Sequence, residues 1–207
     1  MTQKIIALMA RRIKDPYLLA AILSVTPVTE IKASILYAAS SGAKAWLAAL
    51  CAFLSSVLLA AAQSVLLPKL FGLSKKHPRS RRVMFLLTER IAQKADELLK
   101  RSKDKEDRSE RLFLGVFCFV ALPFPLTGIW AGAFLATLLK LDAKRTFFAL
   151  TAGNFTAGGI VLAVAVAAGN KASLLLDAFF IVALLIVLVS LSKNVVSKEL
   201  RHKRKTI

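Results

Sequence analysis

Two stretches of this chain, residues 45–67 and 146–168, each run 23 positions without a charged side chain, and a third, 172–192, is the most uniformly apolar of all. A helix needs about 20 apolar residues to cross the roughly 30 Å hydrocarbon layer of a bilayer. Inside that layer the only segments that satisfy their own backbone hydrogen bonds are helices and closed barrels. Runs this long, without the alternation of barrel strands, therefore predict an all-α integral membrane protein. The composition agrees: 57% of the residues are hydrophobic and the mean hydropathy is +0.62.

Two further apolar segments are broken. Residues 17–43 are interrupted by Pro27, Glu30 and Lys32, and residues 112–141 by P-F-P-L-T-G, from Pro123 to Gly128. The second is too long for one straight span of about 20 residues and too short for two. Pro123 and Pro125 remove backbone donors, and Gly128 tolerates torsions closed to other residues. The reading is a re-entrant hairpin that enters and returns to one side. Non-helical backbone at such depth survives only when packed in protein or lining a wet cavity, so each hairpin implies a counterpart.

The 30 Lys and Arg against 12 acidic residues give a net charge of +18. They gather in an N-terminal patch (Lys4, Arg11, Arg12, Lys14), in residues 69–111 and in the tail, 193–207. Flanking membrane spans, they mark cytoplasmic segments and not a nucleic-acid surface. The C-terminus is accordingly expected in the cytoplasm. Within 69–111, a basic cytoplasmic loop, Val83, Leu87, Ile91, Ala95 and Leu98 recur at helical spacing opposite Arg82, Arg90, Lys94 and Lys100, with Ser80 placed to cap them. This is an amphipathic helix for the inner surface or for packing on the bundle.

The two broken segments resemble each other. Aligned on proline, P-V-T-E-I-K-A (Pro27 to Ala33) and P-L-T-G-I-W-A (Pro125 to Ala131) share Pro, Thr, Ile and Ala. Further on, A-K-A-W-L-A-A-L (Ala43 to Leu50) pairs with A-K-R-T-F-F-A-L (Ala143 to Leu150), the second copy being two residues longer in between. The chain then reads as two inverted-repeat-like halves, each a broken hairpin plus a transmembrane helix, followed by an extra C-terminal helix. Broken elements from inverted repeats meeting near the midplane are the plan of many secondary transporters. Such a plan places the N-terminal patch outside, against the charge rule, unless residues 5–13 form an interfacial helix, which is the arrangement preferred.

The P-x-x-E-I-K order near the start and F-V-A-L-P-F-P-L-T-G-I-W-A-G (Phe119 to Gly132) resemble the small multidrug export family of bacterial membrane proteins, itself similar in plan to DedA-type, VTT-domain proteins. The resemblance covers most of the membrane part but not the central loop. This chain departs from the family's pattern in having Lys32 in place of an arginine and Leu126 in place of a glycine. The resemblance implies a multi-pass protein of the bacterial inner membrane that exports a small molecule. Through the DedA-type relatives it also implies lipid translocation or membrane homeostasis.

An ionised group at the bilayer centre costs at least about 2.5 kcal/mol and is a functional candidate by default. Glu30 and Lys32 are therefore the first candidates for proton coupling or substrate contact, with Arg145 and Asn154 behind them. Pro27, Pro123, Pro125, Thr127 and Gly128 would shape the facing breaks. Other placements stay open: Glu30 and Lys32 solvated at a hairpin mouth, Gly128, Gly132 and Ala136 serving close helix packing, and Asn154 bonding between helices. Trp46, Trp130 and Tyr17 fit interfacial anchors. Cys51 and Cys118 read as buried free thiols, and His77 and His202 lie in basic stretches, so neither a metal, a cofactor nor an enzyme is expected. The expected function is a membrane transporter or exporter of a small molecule, proton-coupled through Glu30. The alternatives are DedA-like lipid movement and a scaffold that uses the basic central helix. Expected partners are the bilayer, anionic lipid head groups, a small-molecule or lipid substrate and a second copy in a homo-oligomer; nucleic acid is excluded.

Overall fold

The computed structural model describes residues 9, 12–27, 29–74, 105–124, 127–171, 174, 175, 178, 181, 182 and 185. The expected amphipathic helix of 83–98 with Ser80, the tail 193–207, Pro125 and most of 172–192 lie outside the described residues. Among the described residues the chain is all-helical. Helices α1 (Pro16–Val25) and α2 (Glu30–Ser40) precede the long α3 (Ala45–Ser74); α4 (Lys105–Ala121) and α5 (Ile129–Leu138) precede the long α6 (Ala143–Ala168), which ends in a 3-10 turn, Gly169–Lys171.

The helix ends follow from local chemistry. Asp15 caps α1, its Oδ1 accepting from the amides of Tyr17 at 2.8 Å and Leu18 at 3.2 Å, with Pro16 supplying a first residue whose missing N–H costs nothing there. Asp142 caps α6 by accepting from the Arg145 amide at 2.9 Å. Helix α2 closes as the Ala43 amide reaches Ala38 O and the Gly42 amide reaches Ala39 O; α5 closes as Leu141 reaches Ala136 O and Lys140 reaches Thr137 O. Both are the same left-handed cap, with Gly42 at φ 78° and Lys140 at φ 57°.

These caps correct the sequence alignment. Gly42 and Lys140, Ala43 and Leu141, and the first residues of α3 and α6, Ala45 and Ala143, are all 98 residues apart, as are Pro27 and Pro125. There is no two-residue insertion; Ala-Lys and Ala-Leu matches are cheap in so alanine-rich a chain, and the caps fix the register instead. The end of the charge-free run 45–67, expected at Pro68, is also corrected, because α3 continues through that proline to Ser74. Proline removes one backbone bond, and continuing the helix keeps the others paired.

α3 and α6 are long and apolar enough to cross a membrane, their best windows lying at mean hydropathies of 2.1 and 1.7. α1, α2 and α5, with 10, 11 and 10 residues against 30 and 26, are less than half as long. α1 and α2 lie side by side, tied by a 2.7 Å bond from Ser34 Oγ to Ala20 O. Tyr17 at the start of α1, Ala38 late in α2 and Ala48 early in α3 share one apolar cluster at one end of the bundle. On the opposite face Leu67 of α3, Phe113 of α4, Leu139 of α5 and Phe147 of α6 come together. We call these the first and second faces.

The packing partners of the halves correspond. α1 packs on α3 as α4 does on α6, the long helices pack on each other, and each returning helix crosses to the other half, α2 to α6 and α5 to α3. Ile31, Ile35 and Ala52 meet Val161 and Ala165 in one core; Val116, Val120, Ile129 and Ala133 meet Ala60, Ala149 and Leu150 in the other. The phenyl rings of Phe53 and Phe155, 5.0 Å apart, mark where α3 and α6 cross.

The two caps give a first prediction. Left-handed backbone costs a residue with a Cβ about 1–2 kcal/mol, so Lys140→Gly should stabilise the protein by about 1 kcal/mol and Gly42→Ala should destabilise it similarly. Nothing lies within 4 Å of a Cβ at Gly42, so the second effect isolates the backbone. Thermal unfolding in detergent, followed by circular dichroism, reads both; midpoints that move the other way would show that the caps do not hold.

Candidate functional site

Breaking a helix frees carbonyls at its end and amides at the start of the next helix, and away from water each must find a partner. In the first break Thr29 Oγ1 donates to Leu23 O. In the second, Thr127 Oγ1 lies 2.9 Å from Leu122 O and 2.8 Å from Phe124 O. The two threonines hold the same position after Pro27 and Pro125 and do the same work.

Two further carbonyls accept from the opposite half. Lys32, the third residue of α2, donates from Nζ to Phe124 O at 2.8 Å and to Thr127 Oγ1 at 3.0 Å. Trp130, aligned with Lys32, donates from Nε1 to Val25 O at 2.9 Å. Each half thus reaches across with the same position to the carbonyl the other half has freed. Trp130 is a tie between the breaks, not the expected interfacial anchor; Trp46, at the start of α3, is exposed.

Between these ties sits the charged pair. Glu30 is 3% exposed, Lys32 is 0% exposed, and Glu30 Oε2 lies 3.7 Å from Lys32 Nζ. The ammonium therefore donates to a carbonyl and a hydroxyl and stands at ion-pair distance from a carboxylate. Residues two apart point in different directions on a regular helix, yet these meet because Glu30 opens α2 at φ 49°. A left-handed glutamate is sparsely populated and persists only where its surroundings fix it. What fixes it is Gly128: a Cβ there would overlap the Glu30 carboxylate. Glu30 and Gly128 are aligned positions of the two halves, one bringing a side chain and the other leaving room for it.

The tips lie midway along the long helices. Eleven residues of α2 extend from Glu30 to the first face, about 16 Å at 1.5 Å per residue. Asn154, near the middle of α6, is 1% exposed and its Nδ2 has no hydrogen-bond partner. Gly153 beside it approaches Phe117 O and Val120 of α4, and Gly158, a turn on, touches Ile31 and Ile35 of α2.

Not every candidate joins this cluster. Arg145 is in the first turn of α6 at the second face, 3.6 Å from Asp142 and beside an open depression lined by Glu110, Phe113, Lys144 and Phe148. It is half a helix away from Glu30. Pro27 is exposed in its turn and Pro123 half-buried in the other. Gly132 and Ala136 pack as expected, Gly132 against Val120 and Leu150. Cys51 and Cys118 are free, but Cys51 is only half-buried and Cys118 is exposed, since it points away from the bundle. Sequence reasoning passed over Gln63 and Thr151, whose buried polar atoms have no partner; an amide within the charge-free run 45–67 was the available signal. Among the described residues no cluster of His, Cys, Asp and Glu could hold a metal.

The fit at the tips predicts that Gly128→Ala forces the carboxylate or the break to move and destabilises the protein by about 1–3 kcal/mol. Gly159→Ala, where a Cβ meets open space, should be neutral. Detergent unfolding midpoints check the pair of variants; equal midpoints would mean that Glu30 and Gly128 do not face each other.

No curated protein and no solved structure matches the chain. The profile of the small multi-drug export proteins matches residues 30–161, which is more than half of the sequence; the match starts at Glu30, contains the second break and all of α3, and runs into α6 as far as Val161. The helical membrane architecture and this match give one conclusion: the chain belongs to the small multi-drug export protein family.

Proposed function

We propose that the protein carries a small molecule across the bilayer by exposing the site between the two hairpin tips alternately to the first and second faces. On this reading the hairpins are re-entrant, the halves are inverted copies, and the ties from Lys32 and Trp130 are broken and remade as the halves rock. The observation that carries it is the Glu30–Lys32 pair, buried at mid-length of helices that pass for membrane spans. A buried pair adds little to stability that well-packed apolar groups would not match, and breaking one by removing a partner is costly. Its retention among apolar neighbours therefore favours a working role: a substrate cation or a proton competes with Lys32 for Glu30, and a substrate anion competes with Glu30 for Lys32. The second face, which carries Lys69, Lys144 and Arg145, is assigned to the cytoplasm by the excess of basic residues.

A second reading is favoured by one observation. An apolar cleft of about 270 Å³ between α2, α3 and α6 is lined by Ile31, the residue between Glu30 and Lys32, with Ile35, Trp46, Phe53, Phe155 and Leu162. A charged head group at the tips with an acyl chain in this cleft would make lipid the cargo.

Proteoliposomes separate the two. Ethidium movement reports the small-molecule reading, and dithionite quenching of a fluorescent-head-group phospholipid reports the lipid reading. Glu30→Gln should lower the relevant rate roughly tenfold or more, equivalent to about 1.4 kcal/mol of a charge-assisted contact, while the variant elutes as wild type on size exclusion. An unchanged rate in a folded Glu30→Gln protein would remove the carboxylate from the mechanism. Movement of neither probe by the wild type, together with loss of function on deleting residues 83–98, would instead favour a scaffold.

A further inference from the structure

Among the described residues, the buried side-chain polar atoms without a partner are Nε2 and Oε1 of Gln63, Oγ1 of Thr151 and Nδ2 of Asn154. All belong to the two long helices. The Phe53–Phe155 contact sets their order along the seam. Asn154 is next to Phe155; Thr151 lies four residues from Phe155 toward the second face, about 6 Å; Gln63 lies ten residues beyond Phe53 in the same direction, about 15 Å. Toward the first face, the same seam holds only the apolar cleft of Trp46, Leu50 and Leu162. The phenyl pair thus divides a dry half from a half with orphaned polar groups.

A buried polar group left without a partner costs about 1–3 kcal/mol, and Gln63 and Asn154 are 6% and 1% exposed. Water is the ligand that supplies the missing bonds where several polar atoms line one seam. The inner end of the row is Asn154, near the middle of α6 and so at about the depth of the hairpin tips.

We propose that the α3–α6 seam is hydrated from the second face as far as Asn154, with waters held by Gln63, Thr151 and Asn154, and is closed toward the first face by Phe53 and Phe155. This makes a water-sized, one-sided entry to the hairpin tips. As a route to a transport site it rests on the function proposed above; as a hydrated seam it stands without it.

Silver ion, a water-sized thiol reagent, tests the seam independently of transport. In a full-length protein with Cys51 and Cys118 replaced by alanine, single cysteines are placed as Gln63→Cys and Thr151→Cys in oriented vesicles and chloride-free buffer. Silver added at the second face should abolish later maleimide tagging of both thiols after denaturation; silver added at the first face should leave both tagged. Adding Gln63→Leu to Thr151→Cys should restore tagging, because the leucine closes the entry. Size-exclusion profiles identify folded variants, and Gln63→Cys and Thr151→Cys each give the sidedness alone. Tagging unaffected from the second face, or abolished equally from both, overturns the proposal. Either result leaves the ethidium and lipid assays of wild type and Glu30→Gln to judge the transport reading separately.

Discussion

A helix that stops among apolar neighbours leaves carbonyl oxygens with nothing to accept from, and the bonds at the centre of this protein answer that constraint. Two breaks occur, and neither solves the problem alone. Thr29 and Thr127 fold back on the carbonyls within reach, and the oxygens of Val25 and Phe124 are taken up by Trp130 and Lys32 from the opposite half. The halves are thus mutually dependent: separated, each would expose carbonyls to hydrocarbon at a cost of several kcal/mol per group. Their pairing explains why α2 crosses to α6 and α5 crosses to α3, since each returning helix must stay against the half that its tip serves.

The same constraint places the charge. The donor that reaches Phe124 O is an ammonium, and an ammonium in this setting needs a counter-charge; Glu30 supplies it only by adopting a left-handed backbone at the helix start. The strain, the ion pair and the vacant side chain of Gly128 are therefore one arrangement and not three. Moving any member disturbs the others, which makes their energies non-additive.

Much of this was legible in the sequence, and the parts that were not have physical reasons. Pro27, Pro123 and the length of residues 112–141 announced the breaks, because proline cannot donate and a bilayer has a fixed thickness. The Pro-x-Thr correspondence pointed to matching tips. Trp130 was misread as an anchor because the interfacial rule counts from the ends of an apolar run, whereas the break brings the middle of this run to the hairpin tip. Arg145 stands directly before the charge-free run 146–168, so its place in the first turn of α6 was legible, whereas its pairing with the capping Asp142 was not. The 98-residue register was hidden because one left-handed cap uses glycine and its counterpart uses Lys140, a residue that gives no such signal.

The two ties across the centre are equivalent in position but not in strength. Lys32 makes charge-assisted bonds, worth about 1.5–3 kcal/mol where a neutral bond such as that of Trp130 is worth about 0.5–1.5. Perfect inverted copies would have two end states of equal energy, related by exchanging the roles of the halves. This chain cannot: with the roles exchanged, the indole would stand where the ammonium now lies between Glu30, Phe124 O and Thr127 Oγ1. On the transport reading, the observed arrangement is thereby favoured in the absence of cargo. A ligand that shifts the balance must bind the other state more tightly by at least that difference, and the group best placed to offer it the difference is the Glu30 carboxylate, which is left without its partner once Lys32 moves.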